Sequence, residues 1–260
     1  MNARQIHSWQ ALCAGWRLLH QQPRLLIAFS LSTLGLHVLG WALFAAAAQV
    51  NSGVLSALLH GSGITLYGGS LLWMVEGLTR ASLNLWQGAP ISWRKLWRGE
   101  RLHRWILLGS VGYLIAAELT AALISFVVWS LVVVVWPGMG AAPVLVGLVA
   151  ATALAISQQF TACLLIASGS GPLATFRAGM VLLEHHWAGL TQLASVVLVM
   201  FVSPLFVGLL AEAMVAGMGI VGTALGFGIV LPLMATTVTA AFHQLQPDAE
   251  AGAALKQSAR

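Results

Sequence analysis

Hydrophobic residues in this chain fall in long runs separated by short polar stretches, the pattern of helices that cross a membrane. A helix needs about 20 largely apolar residues to span the ~30 Å hydrocarbon core, and it satisfies every backbone N–H and C=O without help from water. Six runs reach that length, near residues 25–48, 54–78, 105–136, 141–167, 188–210 and 215–242. The pattern therefore predicts an all-α integral membrane fold of six transmembrane helices. The first run exceeds the roughly 7–15 apolar residues of a cleavable leader, so the alanines at 45–48 read as the end of a retained span and not as a cleavage site.

Three further segments are too polar to cross a membrane and too apolar to float free of it. The first sets Ile6, Trp9, Leu12, Cys13, Trp16 and Leu19 at helical spacing, with Arg4, Ser8 and Arg17 on other faces, and stops at Pro23. In the second, near 92–104, Trp93, Leu96 and Trp97 oppose Arg94, Arg98 and Arg101; in the third, Leu173, Phe176, Met180, Leu183 and Trp187 recur three or four residues apart, with Arg177 and Glu184 elsewhere. Each is expected to be an amphipathic helix lying in the interface, apolar side down and basic side toward the head groups. The first and third align when Ala14, Gly15, Leu18, Leu19 and Leu26 are set against Ala178, Gly179, Leu182, Leu183 and Leu190, and the basic second segment falls halfway between. The chain then reads as one transmembrane domain, 1–246, built of three units near 3–86, 91–168 and 172–243, followed by a short polar tail, 247–260.

Composition supports the membrane reading: 59% of residues are hydrophobic and 7% charged, where a soluble domain carries roughly 25% charge. The formal net charge of +5 points to anionic lipid head groups and not to nucleic acid, because the cations sit beside apolar runs and form no soluble basic domain. Their placement orients the chain. None of the 12 Lys and Arg residues follows the first, third or fifth run; Arg4, Arg17, Arg24, Arg80, Arg94, Lys95, Arg98, Arg101, Arg104, Arg177, Lys256 and Arg260 all fall on the other side. Positive charge gathers on cytoplasmic loops, so both termini are expected in the cytoplasm. Trp93, Trp97, Arg94, Lys95, Arg98, Arg101 and Arg104 form the densest part of this side, a candidate collar for lipid head groups. Cys13 and Cys163 fall in an interfacial and a spanning segment, which argues against a disulfide and against a Cys-based zinc site.

Several of these elements together resemble a loose group of bacterial membrane proteins: the YciC-like proteins, a related family of unknown function, and the membrane domain attached to some glycerophosphodiester phosphodiesterases. The shared features are an amphipathic helix before the first span, here Trp9 to His20, and a Gly-x-x-[Ser/Thr] turn, here in Gly88-Ala89-Pro90-Ile91-Ser92. An Ala-x-x-x-[Ser/Gly]-x-x-Leu segment before the fifth span corresponds to Ala174 through Leu182, and a closing aromatic followed by Leu to Phe242 and Leu245. Gly179 stands where Ser is common and Phe242 where Tyr is common. The resemblance implies six spans in a bacterial inner membrane and no reaction of its own, since the phosphodiesterase relatives carry their chemistry in a separate soluble domain.

Catalytic signatures are missing from the sequence: there is no Gly-x-Ser-x-Gly, His-Glu-x-x-His, phosphate-binding Gly-Lys-[Ser/Thr] loop or dinucleotide fingerprint. No cofactor is implied. His185 and His186 are adjacent, about 100° apart on a helix, and read as surface histidines and not as a metal site. Gly222 with Gly226, and Gly61 with Thr65 and Gly69, give small-residue faces for close helix packing, and Pro204 and Pro232 are expected to kink the last two spans. Glu76 and Arg80 read as a structural ion pair. Polar residues at membrane depth are His37, Glu118, Gln158 and Gln159. The glutamines fit hydrogen bonds between helices, whereas Glu118 fits such a bond or a polar cavity equally well, with His37 as its titratable partner. The expected function is a non-enzymatic membrane protein that binds or organises lipid or a partner protein; the alternative is a small-molecule permease with a polar path near Glu118 and His37.

Overall fold

The computed structural model describes residues 6–99, 101–139, 141–169 and 171–245. Regular structure among them is helical: α1 (Ser8–Gln21), α2 (Pro23–Ala47), α3 (Gly53–Trp86), α4 (Trp93–Trp97), α5 (Arg101–Val135), α6 (Ala141–Ser157), α7 (Thr161–Ser168), α8 (Pro172–Met214) and α9 (Gly219–Leu245), with one 3₁₀ turn, Pro137–Met139. Arg4, Lys256, Arg260, the tail 247–260 and the side chain of Arg101 lie outside the described residues. Five stretches are long and apolar enough to cross a membrane: Pro23–Ala47, His103–Val135, Ala141–Ser168, Pro172–Met214 and Gly219–Leu245. The expected second span lies in α3. At 34 residues that helix has the length, but His60, Ser62, Thr65, Tyr67, Ser70 and several glycines dilute its hydropathy, and it is not one of the five.

The long helices pair as three antiparallel hairpins, α2–α3, α5–α6/α7 and α8–α9, and small residues set how closely each pair approaches. A Cβ at Gly40 would sit 2.6 Å from the Tyr67 amide nitrogen, and one at Gly226 would sit 2.9 Å from the Pro204 ring. Ser125 packs on Gly147 in the second hairpin. The face carrying Gly222 and Gly226 is thus a packing face, as its spacing predicts. The other predicted face is not: nothing lies within 4 Å of a Cβ at Gly61, and α3 meets α2 through Gly63 and Tyr67 instead.

One end of the three hairpins gathers into a common core. Leu83 of α3, Phe160 and Cys163 beside and within α7, and Ala240, Ala241 and Phe242 of α9 pack with Leu190 and Leu193 of α8, under a lid of Ile6 and Ala11. Toward the opposite end the packing thins, and no residue of α5 beyond Ser110 is buried. Apolar side chains left exposed on that scale, among them Leu119, Leu131 and Val134, exceed what a water-facing surface carries and match a lipid-facing one.

Three sequence expectations are corrected. The run 141–167 is not one helix: it breaks at 158–160 because Thr161 Oγ1 donates to Gln158 Oε1 at 2.8 Å and Gln158 Nε2 donates to the Phe176 carbonyl at 3.3 Å, so side chains compete with the ladder. The third interfacial segment is continuous with the fifth run as α8, separated from it only at His186, whose backbone is non-helical at φ −132°, ψ 27°. The second segment is a five-residue helix, α4, with Arg101 and Arg104 belonging to α5. Moreover, the apolar arc of α1 is divided. Ser8, Ala11, Gly15 and Leu18 are buried, with Gly15 on Thr237 of α9, whereas Trp9 and Trp16 are 72% and 49% exposed. α8 repeats this: Thr175 and Gly179 face the protein, a Cβ at Gly179 falling 2.5 Å from the Ser157 carbonyl oxygen, while Leu173, Met180 and Trp187 point away.

Candidate functional site

Glu76 is the anchor of the basic end. It sits in the last third of α3 with no exposed surface, and a carboxylate stripped of water there is tolerable only if cations and donors replace its hydration. Arg80, one turn on, reaches Oε1 at 3.4 Å, and Arg104 of α5 reaches Oε2 with Nε at 3.1 Å. Both arginines are also tied to the segment between them. Arg80 Nη2 donates to the carbonyls of Lys95 at 2.7 Å and Leu96 at 3.3 Å, and Arg104 Nη2 donates to that of Gly99 at 2.8 Å. Gly99 passes directly over the Glu76 carboxylate, where any side chain would collide with it.

An aromatic cluster supports the same segment. The Arg104 guanidinium lies 4.9 Å from the Trp73 ring centroid, close enough for cation–π attraction. Trp97 packs on Phe29 at 5.1 Å, Trp73 at 6.1 Å and Trp93 at 5.8 Å. Leu96 is buried beneath it. Ser92 caps α4 by accepting the Lys95 N–H at 3.4 Å. The result is a rigid platform with Trp93 44% exposed and with Arg94, Lys95 and Arg98 exposed; among the described residues none of these three cations has an acidic partner. Trp97 and Arg104 are partly exposed and engaged within the protein, one in the aromatic cluster and the other on Glu76. Part of this was legible, since the i,i+4 spacing of Arg80 already pointed at Glu76.

Polar residues placed at depth are dispersed. His37 Nδ1 lies 3.2 Å from the Tyr67 carbonyl oxygen and 3.3 Å from Ser70 Oγ, and its ring is 3.8 Å from that of Tyr67, all within the first hairpin. Glu118 lines a groove between α5 and α6. The expected pairing of His37 with Glu118 is not formed. Gln158 and Gln159 lie within the helix break, Gln159 Nε2 donating to the Leu190 carbonyl at 3.4 Å. His185 Nδ1 is 2.8 Å from the Val181 carbonyl oxygen. Glu212, overlooked in the sequence, closes the turn between α8 and α9 by accepting N–H bonds from Gly217 at 3.0 Å and Gly219 at 2.8 Å. Among the described residues no three His, Cys, Asp or Glu side chains group as a metal cage. No family model, curated protein or solved structure matches the chain.

Proposed function

We propose that this chain is a non-enzymatic protein of a bacterial inner membrane, crossing it six times with both termini in the cytoplasm. Its basic end binds anionic lipid head groups, and through them organises lipid or a partner protein. The reading counts α3 as the sixth crossing and agrees with the resemblance to the YciC-like group. It is carried by the division of the cations at the basic end: Arg80 and Arg104 are bound to Glu76, whereas Arg94, Lys95 and Arg98 stand exposed beside Trp93 without an acidic partner among the described residues. A half-exposed tryptophan beside free cations is the side-chain set of an interface between hydrocarbon and phosphate.

Each basic residue at an anionic surface contributes about 1 kcal/mol, so replacing Arg94, Lys95 and Arg98 together by Gln should lower co-purified anionic lipid by about tenfold or more, read by lipid mass spectrometry of detergent-extracted protein. Retention equal to the parent's would overturn the assignment.

A further inference from the structure

The groove between α5 and α6 has a volume of about 570 Å³, within the roughly 300–1,000 Å³ of small-molecule sites. Ala122, Ser125 and Gly147 form its floor, with Ser125 closing on Gly147 so that the helices touch behind it. Glu118 lines one end and Trp129 the other. They lie three helical turns apart, or roughly 16 Å, on the same face of α5. The carboxyl group of Glu118 has no hydrogen-bond or ion-pair partner among the described residues. This contrasts with Glu76, held by two arginines, and Glu212, held by two backbone amides. A carboxylate in an otherwise apolar cleft is compensated best by an opposite charge that arrives with its own apolar cover.

We infer that this groove is an intramembrane binding site for a lipophilic organic cation, its ammonium group on Glu118 and its apolar body lying over Ala122 and Ser125 toward Trp129. The inference rests on α5 and α6 crossing the membrane, but not on the collar. A phospholipid head group belongs at the interface, whereas Glu118 is about 13 residues, or roughly 20 Å, along the helix from Trp105. A partner helix would lay an apolar seam in the slot and leave Glu118 without an opposite charge. The ring of Trp129, 37% exposed and stacked at 5.9 Å on Phe126, offers a flat face for the apolar body.

The test uses the full chain in discs of zwitterionic lipid, with dansyl-decylamine and its uncharged N-acetyl counterpart as fluorescent probes. The parent should bind the amine at least about tenfold more tightly than the neutral probe, the order expected of one charge-assisted contact. E118Q should bring that preference below about twofold while leaving the neutral probe's affinity unchanged. A122F, which fills the groove, should weaken both probes, and the triple collar variant R94Q/K95Q/R98Q should keep the parent preference. A parent without preference, an E118Q protein that retains it, or loss of it in the collar variant instead would overturn the inference. So would efficient crosslinking of A151C to a second copy of the chain, which would show the groove filled by protein.

Discussion

Burying the Glu76 carboxylate costs several kcal/mol before any partner is counted, so its two arginines and the Gly99 crossing form one unit. Removing one member leaves the others desolvated and underpaired. E76A should therefore destabilise the protein by about 1.5–3 kcal/mol, the range for a lost hydrogen bond to a charged group. It should fall short of the ~3–5 kcal/mol of a fully buried pair, because Arg80 and Arg104 retain 18% and 26% exposure and keep carbonyl acceptors. E76Q, which preserves shape and one acceptor oxygen, should lose less. Thermal unfolding in detergent checks both, and an E76A protein as stable as its parent would show that the three charges are not coupled. At this scale the sequence was partly readable: the Arg80 pairing follows from i,i+4 spacing, whereas Arg104 comes from the next hairpin and no local rule selects it over Arg94, Lys95 or Arg98.

Long apolar helices are the elements that the hydrophobic runs predicted, because a membrane span announces itself by length and composition alone. Breaks within them were hidden for the same reason. Gln158 and Gln159 inside an apolar run have the signature of a hydrogen bond between helices, and only the nearness of Thr161 and Phe176 turns them into a break. Glycine faces were half legible. Spacing says that a small face exists, but Gly61, Gly63, Gly68 and Gly69 circle α3, and which of them meets α2 depends on a rotation that no spacing fixes. Gly15 and Gly179 each sit at a close helix crossing, one on Thr237 and the other on the Ser157 carbonyl. Methyl groups at these two positions have nowhere to go, so G15A and G179A should each destabilise by about 1–3 kcal/mol, the usual cost of overpacking. G61A should instead stabilise by about 0.5–1 kcal/mol, because its Cβ meets open space and the helix gains from losing a glycine. Melting temperatures of the three variants separate the faces, and equal gains at all three would mean that helix propensity and not packing governs them.

Across the whole molecule, each segment that precedes a hairpin packs on the second helix of the hairpin before it. α4 lies on α3, the start of α8 lies on the break between α6 and α7, and α1 closes the ring on α9. This closure brings Leu83, Phe160 and Phe242, each near the end of a hairpin's second helix, into one core, and it gathers Arg17, Arg24, Arg80, Arg94, Lys95, Arg98, Arg104 and Arg177 at the same end. Gathering the described cations at one end supports the orientation proposed above, with that end in the cytoplasm. The crossing that the proposal adds is α3, whose composition is the most polar of the long helices. Its end nevertheless shares a core with the ends of the other two hairpins, so a path in which α3 fails to cross would pull Leu83 out of that core, or place Arg94, Lys95 and Arg98 on the side where basic residues are depleted. Reporter fusions should accordingly read periplasmic at Asn51, Gly138 and Gly217 and cytoplasmic at Gly88, Gly171 and Arg260. The decisive pair is Asn51 and Gly88, which flank α3: opposite readings establish the sixth crossing, and the same reading at both would reduce the protein to five and take the collar's head-group assignment with it.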